Sequence, residues 1–82
     1  MEQTIIVAVS QPVLSREAAI IAQRMSDFDS RVLIRKKDLT VNAKSLIGLI
    51  SLELAEGQKI TILAEGPDEK QAVAALSGLL GV

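Results

Sequence analysis

Residues 42–52 read NAKSLIGLISL, and this stretch decides how the rest of the chain is interpreted. Ser45 occupies the position of a helix N-cap, directly before an apolar segment, Leu46 to Leu54, that includes a glycine. In a helix beginning there, Leu49 and Leu52 are the best candidates for the core. The segment nevertheless carries more large aliphatic side chains than one buried stripe requires. The sequence therefore predicts a short, strongly apolar helix that starts at a hydroxyl group.

Two features of this helix have alternative interpretations. Leu46, Ile47 and Ile50 lie on a face next to the predicted core face, where they would form an exposed apolar patch of the kind that often marks a partner surface. Alternatively, all three belong to the core. Ser45 is either a plain N-cap or a phosphate acceptor, since a helix N-terminus offers free N–H groups to an anion. Residue positions alone leave both pairs of alternatives open.

Outward from this helix, the flanking segments alternate between strand and helix patterns. Four segments have the apolar runs or alternation typical of strands, namely Thr4 to Val9, Arg31 to Lys36, Leu39 to Ala43 and Lys59 to Glu65. The first is β-branched and almost continuously apolar, which predicts a central strand. Lys37-Asp38 predicts a tight turn between the second and third strands. The basic run Arg35-Lys36-Lys37 is then interpreted as a solvated hairpin tip.

Two further helices are predicted from apolar spacing and capping residues. The first spans about Arg16 to Ser26, with Ser15 as its N-cap. Gly57 is expected to cap the end of the apolar helix. Asp68 and Gln71 are expected to form a capping box at the start of the last helix. The predicted buried faces of the first and last helices are Ala18, Ile21, Ala22 and Met25, and Ala72, Val73, Leu76, Leu79 and Leu80, respectively.

The element order β-α-β-β-α-β-α predicts a single domain over residues 1–82, without a linker or repeat. Each strand needs one covered face and each helix has one apolar stripe, so one sheet with helices on one side accounts for both. Hairpins and helical crossovers join the strands. The fold class predicted is a mainly antiparallel α+β sandwich.

Composition limits the chemistry available to the chain. It has no His and no Cys, so thiol nucleophiles, imidazole bases and zinc clusters are ruled out, and we expect no metal, no cofactor and no enzymatic activity. Phe28 is the only aromatic residue and the net charge is −1, which argues against direct nucleic-acid binding and against an anionic membrane surface. No apolar run approaches a transmembrane length, and the first residues do not match a signal peptide. We therefore expect a cytoplasmic protein.

The stretch 42–52 resembles the regulatory-serine helix of HPr, the phosphocarrier of the bacterial sugar phosphotransferase system. The resemblance extends over essentially the whole chain, including the Glu56-Gly57 turn and residues 66–69 before the last helix. It implies the HPr fold, an open-faced sandwich in which three helices back a four-stranded antiparallel sheet of order 1-4-2-3.

The chain departs from the family before the first helix. HPr proteins carry Gly-Ile-His-Ala-Arg-Pro-Ala there, and the histidine accepts the phosphoryl group. The aligned residues 12–18 read PVLSREA, so Arg16 matches while Leu14 stands in place of the histidine and Glu17 in place of the proline. Leucine has no lone pair, and an ester on the neighbouring Ser15 would lack the transfer potential of a phosphohistidine. Sugar phosphotransfer is therefore excluded.

A branch of the family, the catabolite-repression HPr proteins (Crh), has likewise lost the histidine and kept the serine aligned with Ser45. By resemblance, HPr kinase/phosphorylase would phosphorylate Ser45, and the product would act as a corepressor of the catabolite-control transcription factor. Leu46, Ile47 and Ile50 would form the apolar contact surface, with Arg16 as a polar contact beside it. The alternatives are a constitutive interaction module that is not phosphorylated and a ferredoxin-like sensor of small molecules. The patch could also serve a homodimer.

Overall fold

The computed structural model describes residues 1–81 and contains four strands and three helices in the predicted order. The predicted domain, 1–82, also includes Val82, which lies outside the described residues. The elements are β1 (Glu2–Ile6), α1 (Ser15–Met25), β2 (Arg31–Lys36), β3 (Leu39–Asn42), α2 (Leu46–Leu52), β4 (Lys59–Glu65) and α3 (Glu69–Leu80). Among residues 1–81, no helix has the length and apolarity needed to cross a membrane.

The four strands form one antiparallel sheet in the order β1-β4-β2-β3, as the family resemblance implied. The prediction that the first apolar run is a central strand is wrong, because β1 is an edge strand that pairs only with β4. Its apolar residues have different roles. Ile5 is buried under the helices, Ile6 is exposed, and Val7 lies beyond the strand in a bridge to Gly81. The run is thus apolar because its end packs beneath α3, not because strands flank it on both sides.

One face of the sheet carries the core and the other is open. Alternate residues of the strands point toward the helices, and Val32, Ile34, Ile60 and Ile62 are almost completely buried there. The open face is largely polar. On it the hydroxyls of Thr4 and Thr61 lie 3.2 Å apart on adjacent strands. The predicted open-faced α+β sandwich is confirmed.

The first helix begins one residue earlier than predicted. Leu14 is the N-cap of α1, and Ser15 is the first helical residue. Glu17 explains the difference, because its Oε1 accepts the Leu14 N–H at 3.2 Å and satisfies the backbone at the N-cap itself. The predicted buried stripe of this helix is confirmed, consisting of Ala18, Ile21, Ala22 and Met25.

The second helix ends earlier than the glycine signal indicated. Its C-cap is Glu53, in the left-handed region at φ 51°, whereas Gly57 lies in the turn before β4 and donates its N–H to the Val7 carbonyl at 2.8 Å. Lys36 Nζ donates to the carbonyl of Leu52 at 2.6 Å, which satisfies the end of the helix without glycine. This contact also corrects the solvated-tip prediction for Lys36.

Two predictions for α3 are wrong. Asp68 is its N-cap but forms no capping box with Gln71, since the Asp68 carboxylate instead accepts hydrogen bonds from Asp29 and Ser30. Leu79 is 39% exposed, whereas the other four predicted core residues of the helix are buried. The N-cap of this helix is thus held by residues that are distant in the sequence, and no local sequence pattern indicates such a contact.

Candidate functional site at the start of α2

Ser45 lies in the turn between β3 and α2, with an extended backbone as the N-cap of the helix. Its Oγ accepts the N–H of Gly48 at 3.1 Å. Its own N–H donates to the carbonyl of Asn42 at 2.9 Å. Ser45 is half-buried, and its hydroxyl serves as a helix cap.

Asn42 and Lys44 hold the turn that presents Ser45. The Oδ1 atom of Asn42 accepts the N–H of Lys44 at 2.8 Å. Lys44 Nζ donates to the carbonyl of Phe28 at 2.7 Å, which joins the turn to the loop between α1 and β2. Since the polar groups before the helix are bonded within the protein, Ser45 is presented from an ordered turn.

Gly48 allows the first turn of α2 to approach β3 closely. A Cβ atom at this position would lie 3.0 Å from the Cβ of Val41 and 3.4 Å from the Oγ of Ser45. The glycine within the apolar stretch is the only local sign of this packing, and no role was predicted for it from the sequence. It brings the cap hydroxyl and the strand into one tightly packed unit.

The helix has a buried face and an exposed one. Leu49 and Leu52 are fully buried, as predicted, whereas Leu46 is 40% and Ile47 is 74% exposed. The prediction that Ile50 is exposed with Leu46 and Ile47 is wrong in part, because Ile50 is half-buried and packs against the core. The first turn of α2 therefore presents two large aliphatic side chains directly after Ser45.

The other predicted contact residues lie around α1. Arg16 is exposed on its first turn, and Leu14 is 63% exposed just before it. Leu14 and Ile50 line one open cleft of about 660 Å³ between the β1–α1 loop and α2, which is completed by Pro12, Val13, Ser15 and Glu53. The structure thus brings Leu14 and Ile50 together, while Arg16, Leu46 and Ile47 lie outside that lining.

The carboxyl groups with clearly shifted pKa values lie at the start of α3 instead. The Ser30 hydroxyl and the Asp29 amide lower the pKa of Asp68, and the Met1 amino group and the Gly66 amide lower that of Glu69. Within residues 1–81, no group of three or more acidic side chains is placed to hold a metal ion. The start of α2 therefore offers a hydroxyl and exposed apolar surface, without such a carboxyl group.

A family model described as the PTS HPr component phosphorylation site matches residues 1–81. The chain belongs to the PTS-HPr family. This confirms the resemblance drawn from residues 42–52 and removes the ferredoxin-like alternative. In this HPr-family chain, the residue that the resemblance aligns with the phosphorylated histidine is Leu14.

Relatives include both HPr and Crh proteins. The HPr-like protein Crh of Halalkalibacterium halodurans is 38% identical over 76 residues, covering 93% of this chain and 90% of the relative. The crystal structure of HPr from Bacillus anthracis str. Ames superposes with a TM-score of 0.92 at 34% identity, covering 98% of this chain and 95% of the other. The crystal structure of Crh from Bacillus subtilis, described as a domain-swapped dimer, superposes with a TM-score of 0.77 at 36% identity. The match covers 89% of this chain and 86% of the other. The chain is therefore an HPr-like protein of the phosphotransferase-system family.

Proposed function

We propose that this HPr-like chain is a cytoplasmic regulatory protein without enzymatic activity, acting as one domain and switched by phosphorylation of Ser45. HPr kinase/phosphorylase would add the phosphate, and the phosphorylated chain would act as a corepressor with the catabolite-control transcription factor. The observation that supports this most is the position of half-buried Ser45 directly before exposed Leu46 and Ile47, in a family member with Leu14 at the carrier position.

The switch that we propose is local and electrostatic. A phosphate on Ser45 adds about −1.5 to −2 charge and three acceptor oxygens at the surface. A partner arginine or lysine can bind these oxygens, and each charge-assisted hydrogen bond contributes about 1.5–3 kcal/mol. Leu46, Ile47 and the edge of Ile50 supply apolar area beside the phosphate, and Arg16 supplies a polar contact on α1. Binding would then need both the patch and the phosphate.

A carrier role does not fit the same residues. Leu14 is exposed as a carrier residue would be, but its side chain has no atom that can take a phosphoryl group. Glu17 adds a negative charge to the first turn of α1, where a phosphate on residue 14 would otherwise be favoured. We therefore propose a regulatory role for this chain and no role in phosphotransfer.

The test is intact-mass spectrometry after incubation with ATP and HPr kinase/phosphorylase from a Gram-positive bacterium. We expect one added phosphate on the wild type and none on Ser45→Ala. An authentic HPr in the same tube verifies that the kinase is active. If that HPr is modified and this chain is not, the phosphorylation proposal is wrong and Ser45 is only a helix cap.

A constitutive interaction module is the second candidate, and one contact favours it. The Oγ of Ser45 already accepts the Gly48 N–H, which gives the serine a structural role without modification. Such a module would dock onto a phosphotransferase component or enzyme, and the two candidates differ in how partner binding responds to residue 45. Binding that is the same for wild type, Ser45→Ala and Ser45→Asp, and that is lost in Ile47→Asp, would support the constitutive module.

We further propose that the chain can form a homodimer, because its Crh relative from Bacillus subtilis is described as a domain-swapped dimer. Here β1 is an edge strand bound only to β4, so it can exchange between two copies without breaking any other strand pair. Light scattering over a range of protein concentrations tests this. A monomer mass at every concentration, including after refolding at high concentration, would contradict it.

A further inference from the structure

Three exposed cations gather at one end of the open face of the sheet. Arg35 on β2 is paired in register with Thr61 on β4, two residues from Lys59. Both Arg35 and Lys59 alternate with buried neighbours, so they point away from the helices. Lys37 lies in the adjacent β2–β3 turn at φ 55° and is exposed. We call Arg35, Lys37 and Lys59 the cationic cluster.

The cluster surrounds an open cleft of about 430 Å³ lined by Arg35, Lys36, Lys37, Gln58, Lys59 and Thr61. This lining contains no carboxylate. Within residues 1–81, none of its four basic side chains forms an ion pair with a carboxylate, since the two salt bridges involve the Met1 amino group and Arg24. Four of the nine basic residues of a chain whose net charge is −1 therefore lie around one cleft.

The walls of the cleft are held in place. Lys36 Nζ is bonded to the carbonyl of Leu52, and the Gln58 amide bridges the Glu53 carbonyl at 3.3 Å and the Ala55 N–H at 2.9 Å. Those groups are occupied by contacts within the fold. Within residues 1–81, the charged groups of Arg35, Lys37 and Lys59 make no such hydrogen bonds, so their N–H donors remain available to a ligand.

This arrangement is unfavourable for the free protein. Diagonal positions on neighbouring strands lie about 7–8 Å apart, within reach of long side chains, and like charges in such pairs repel. A carboxylate in the lining would normally compensate, and this lining has none. Uncompensated like charge around a concave surface is typical of a site for an anion.

We propose that this cleft binds a compact anion that carries several phosphate groups, at a site separate from Ser45. The cleft volume lies in the range of small-molecule sites, about 300–1,000 Å³. A single-stranded nucleic acid would need aromatic stacking surfaces, and no aromatic residue lines the cleft. A protein partner would need a buried aromatic or aliphatic anchor, which the lining also lacks. Several phosphates close together match three cations without either requirement.

The test is a titration of the ¹⁵N-labelled full chain with sodium tripolyphosphate, followed by NMR, with total ionic strength held constant by sodium chloride. We expect saturable shifts confined to the amides of residues 35–37 and 58–61. The double variant Arg35→Gln/Lys59→Gln is expected to raise Kd at least tenfold. The matched control Arg31→Gln/Lys70→Gln removes the same charge from the other end of the open face and from α3, and should change Kd less than twofold.

The melting temperature is a second measurement, and it distinguishes loss of the anion site from misfolding of the variant. Without anion, Arg35→Gln/Lys59→Gln should melt at a Tm equal to or above that of the wild type, because repulsion is relieved. Tripolyphosphate should raise Tm of the wild type and of the control but not of this variant.

Three results would overturn the proposal: shifts that sodium sulfate at equal ionic strength reproduces, an equal loss of binding in the control variant, or tighter binding of an oligothymidine or a glutamate-rich peptide. None of these depends on whether Ser45 is phosphorylated.

Discussion

The starts of α2 and α3 have the same kind of cap residue and use it differently. Each helix begins after a polar N-cap residue, Ser45 and Asp68 respectively. The Ser45 hydroxyl bonds to Gly48 within its own helix. The Asp68 carboxylate bonds to another loop, accepting the N–H of Asp29 and of Ser30 at 2.9 Å each, as well as the Ser30 hydroxyl.

The difference sets which helix start is free for interaction. Ser30 is completely buried, and its Oγ accepts the Asp68 N–H at 3.1 Å. The start of α3 is therefore bonded to the α1–β2 loop. Ser45 makes only local contacts through its side chain and is followed by exposed Leu46 and Ile47. A cap that is satisfied locally leaves its surroundings available, whereas a cap that holds a distant loop is part of the tertiary structure.

Of the changes at the two helix starts, the largest effect should come from the glycine beside the Asp68–Ser30 contact. Gly66 has φ 150°, and a Cβ atom there would lie 2.6 Å from the Cα of Ser30. Gly66→Ala should lower the free energy of unfolding by about 3 kcal/mol through backbone strain and overpacking. Urea denaturation measures this. Gly78→Ala is the control, since nothing lies within 4 Å of its added methyl, and it should be neutral or stabilising.

Removing the buried hydroxyl should have the next largest effect. Ser30→Ala takes away the donor to Asp68 and the acceptor of the Asp68 N–H, so we expect a loss of about 2 kcal/mol in the free energy of unfolding. The same denaturation assay applies. The control is Ser77→Ala, at a half-buried serine of α3, which should lower the free energy of unfolding much less. An equal loss in both variants would show that the Ser30–Asp68 contact does not stabilise the fold more than an ordinary serine does.

Acid should weaken the start of α3. The Ser30 hydroxyl and the Asp29 amide lower the pKa of Asp68 below its ordinary 3.8. A carboxyl with a lowered pKa in the folded state contributes stability in full above about pH 5, and this contribution is lost as the pH falls through 3.8 toward the folded-state pKa. Stability measured from pH 6 to pH 2 should therefore fall less steeply in Asp68→Asn than in the wild type. Equal slopes would contradict this account.

The Ser45 cap should have a smaller effect on stability. Ser45→Ala loses one acceptor for the Gly48 N–H and should cost about 1 kcal/mol, while Ser45→Asp keeps an acceptor and should cost less. Thermal or urea unfolding distinguishes them. A cost for Ser45→Ala equal to that of Ser30→Ala would mean that the two helix starts contribute equally to the stability of the fold.

The exposed patch should have the smallest effect. Ile47 is 74% exposed, so Ile47→Asp should change the free energy of unfolding by no more than about 0.5 kcal/mol. The buried neighbour Leu49 provides the contrast, since Leu49→Ala should cost about 2–5 kcal/mol. Unfolding of the Ile47→Asp variant would show that the residue supports the core and would remove the patch as a free surface.

The sequence predicted features that arise from local periodicity or from the family resemblance. Element order and the buried stripe of α1 followed from spacing, and the strand order followed only from the resemblance. The role of Asp68 was missed because Ser30 lies 38 residues away and no local pattern links them. Tertiary contacts also override local end signals, as when Lys36 satisfies the end of α2 and Gly57 serves the next turn.

At the candidate site, the periodicity of residues 46–54 left both core and patch open for Ile47 and its neighbours and slightly favoured the core. Burial decides this, because only the packed structure shows that Leu49 and Leu52 fill the available core beneath α2. The sequence shows a glycine at position 48 but does not explain it. The explanation is the close approach to Val41, which is a contact between a helix and a strand.

The proposed switch at Ser45 is tested most directly by calorimetric measurement of binding to the catabolite-control transcription factor before and after kinase treatment. Two charge-assisted hydrogen bonds to the phosphate would tighten binding about a hundredfold or more. We expect this gain for the wild type and no gain for Ser45→Ala, which cannot be modified. Equal affinity of the unphosphorylated and the fully phosphorylated chain would contradict it.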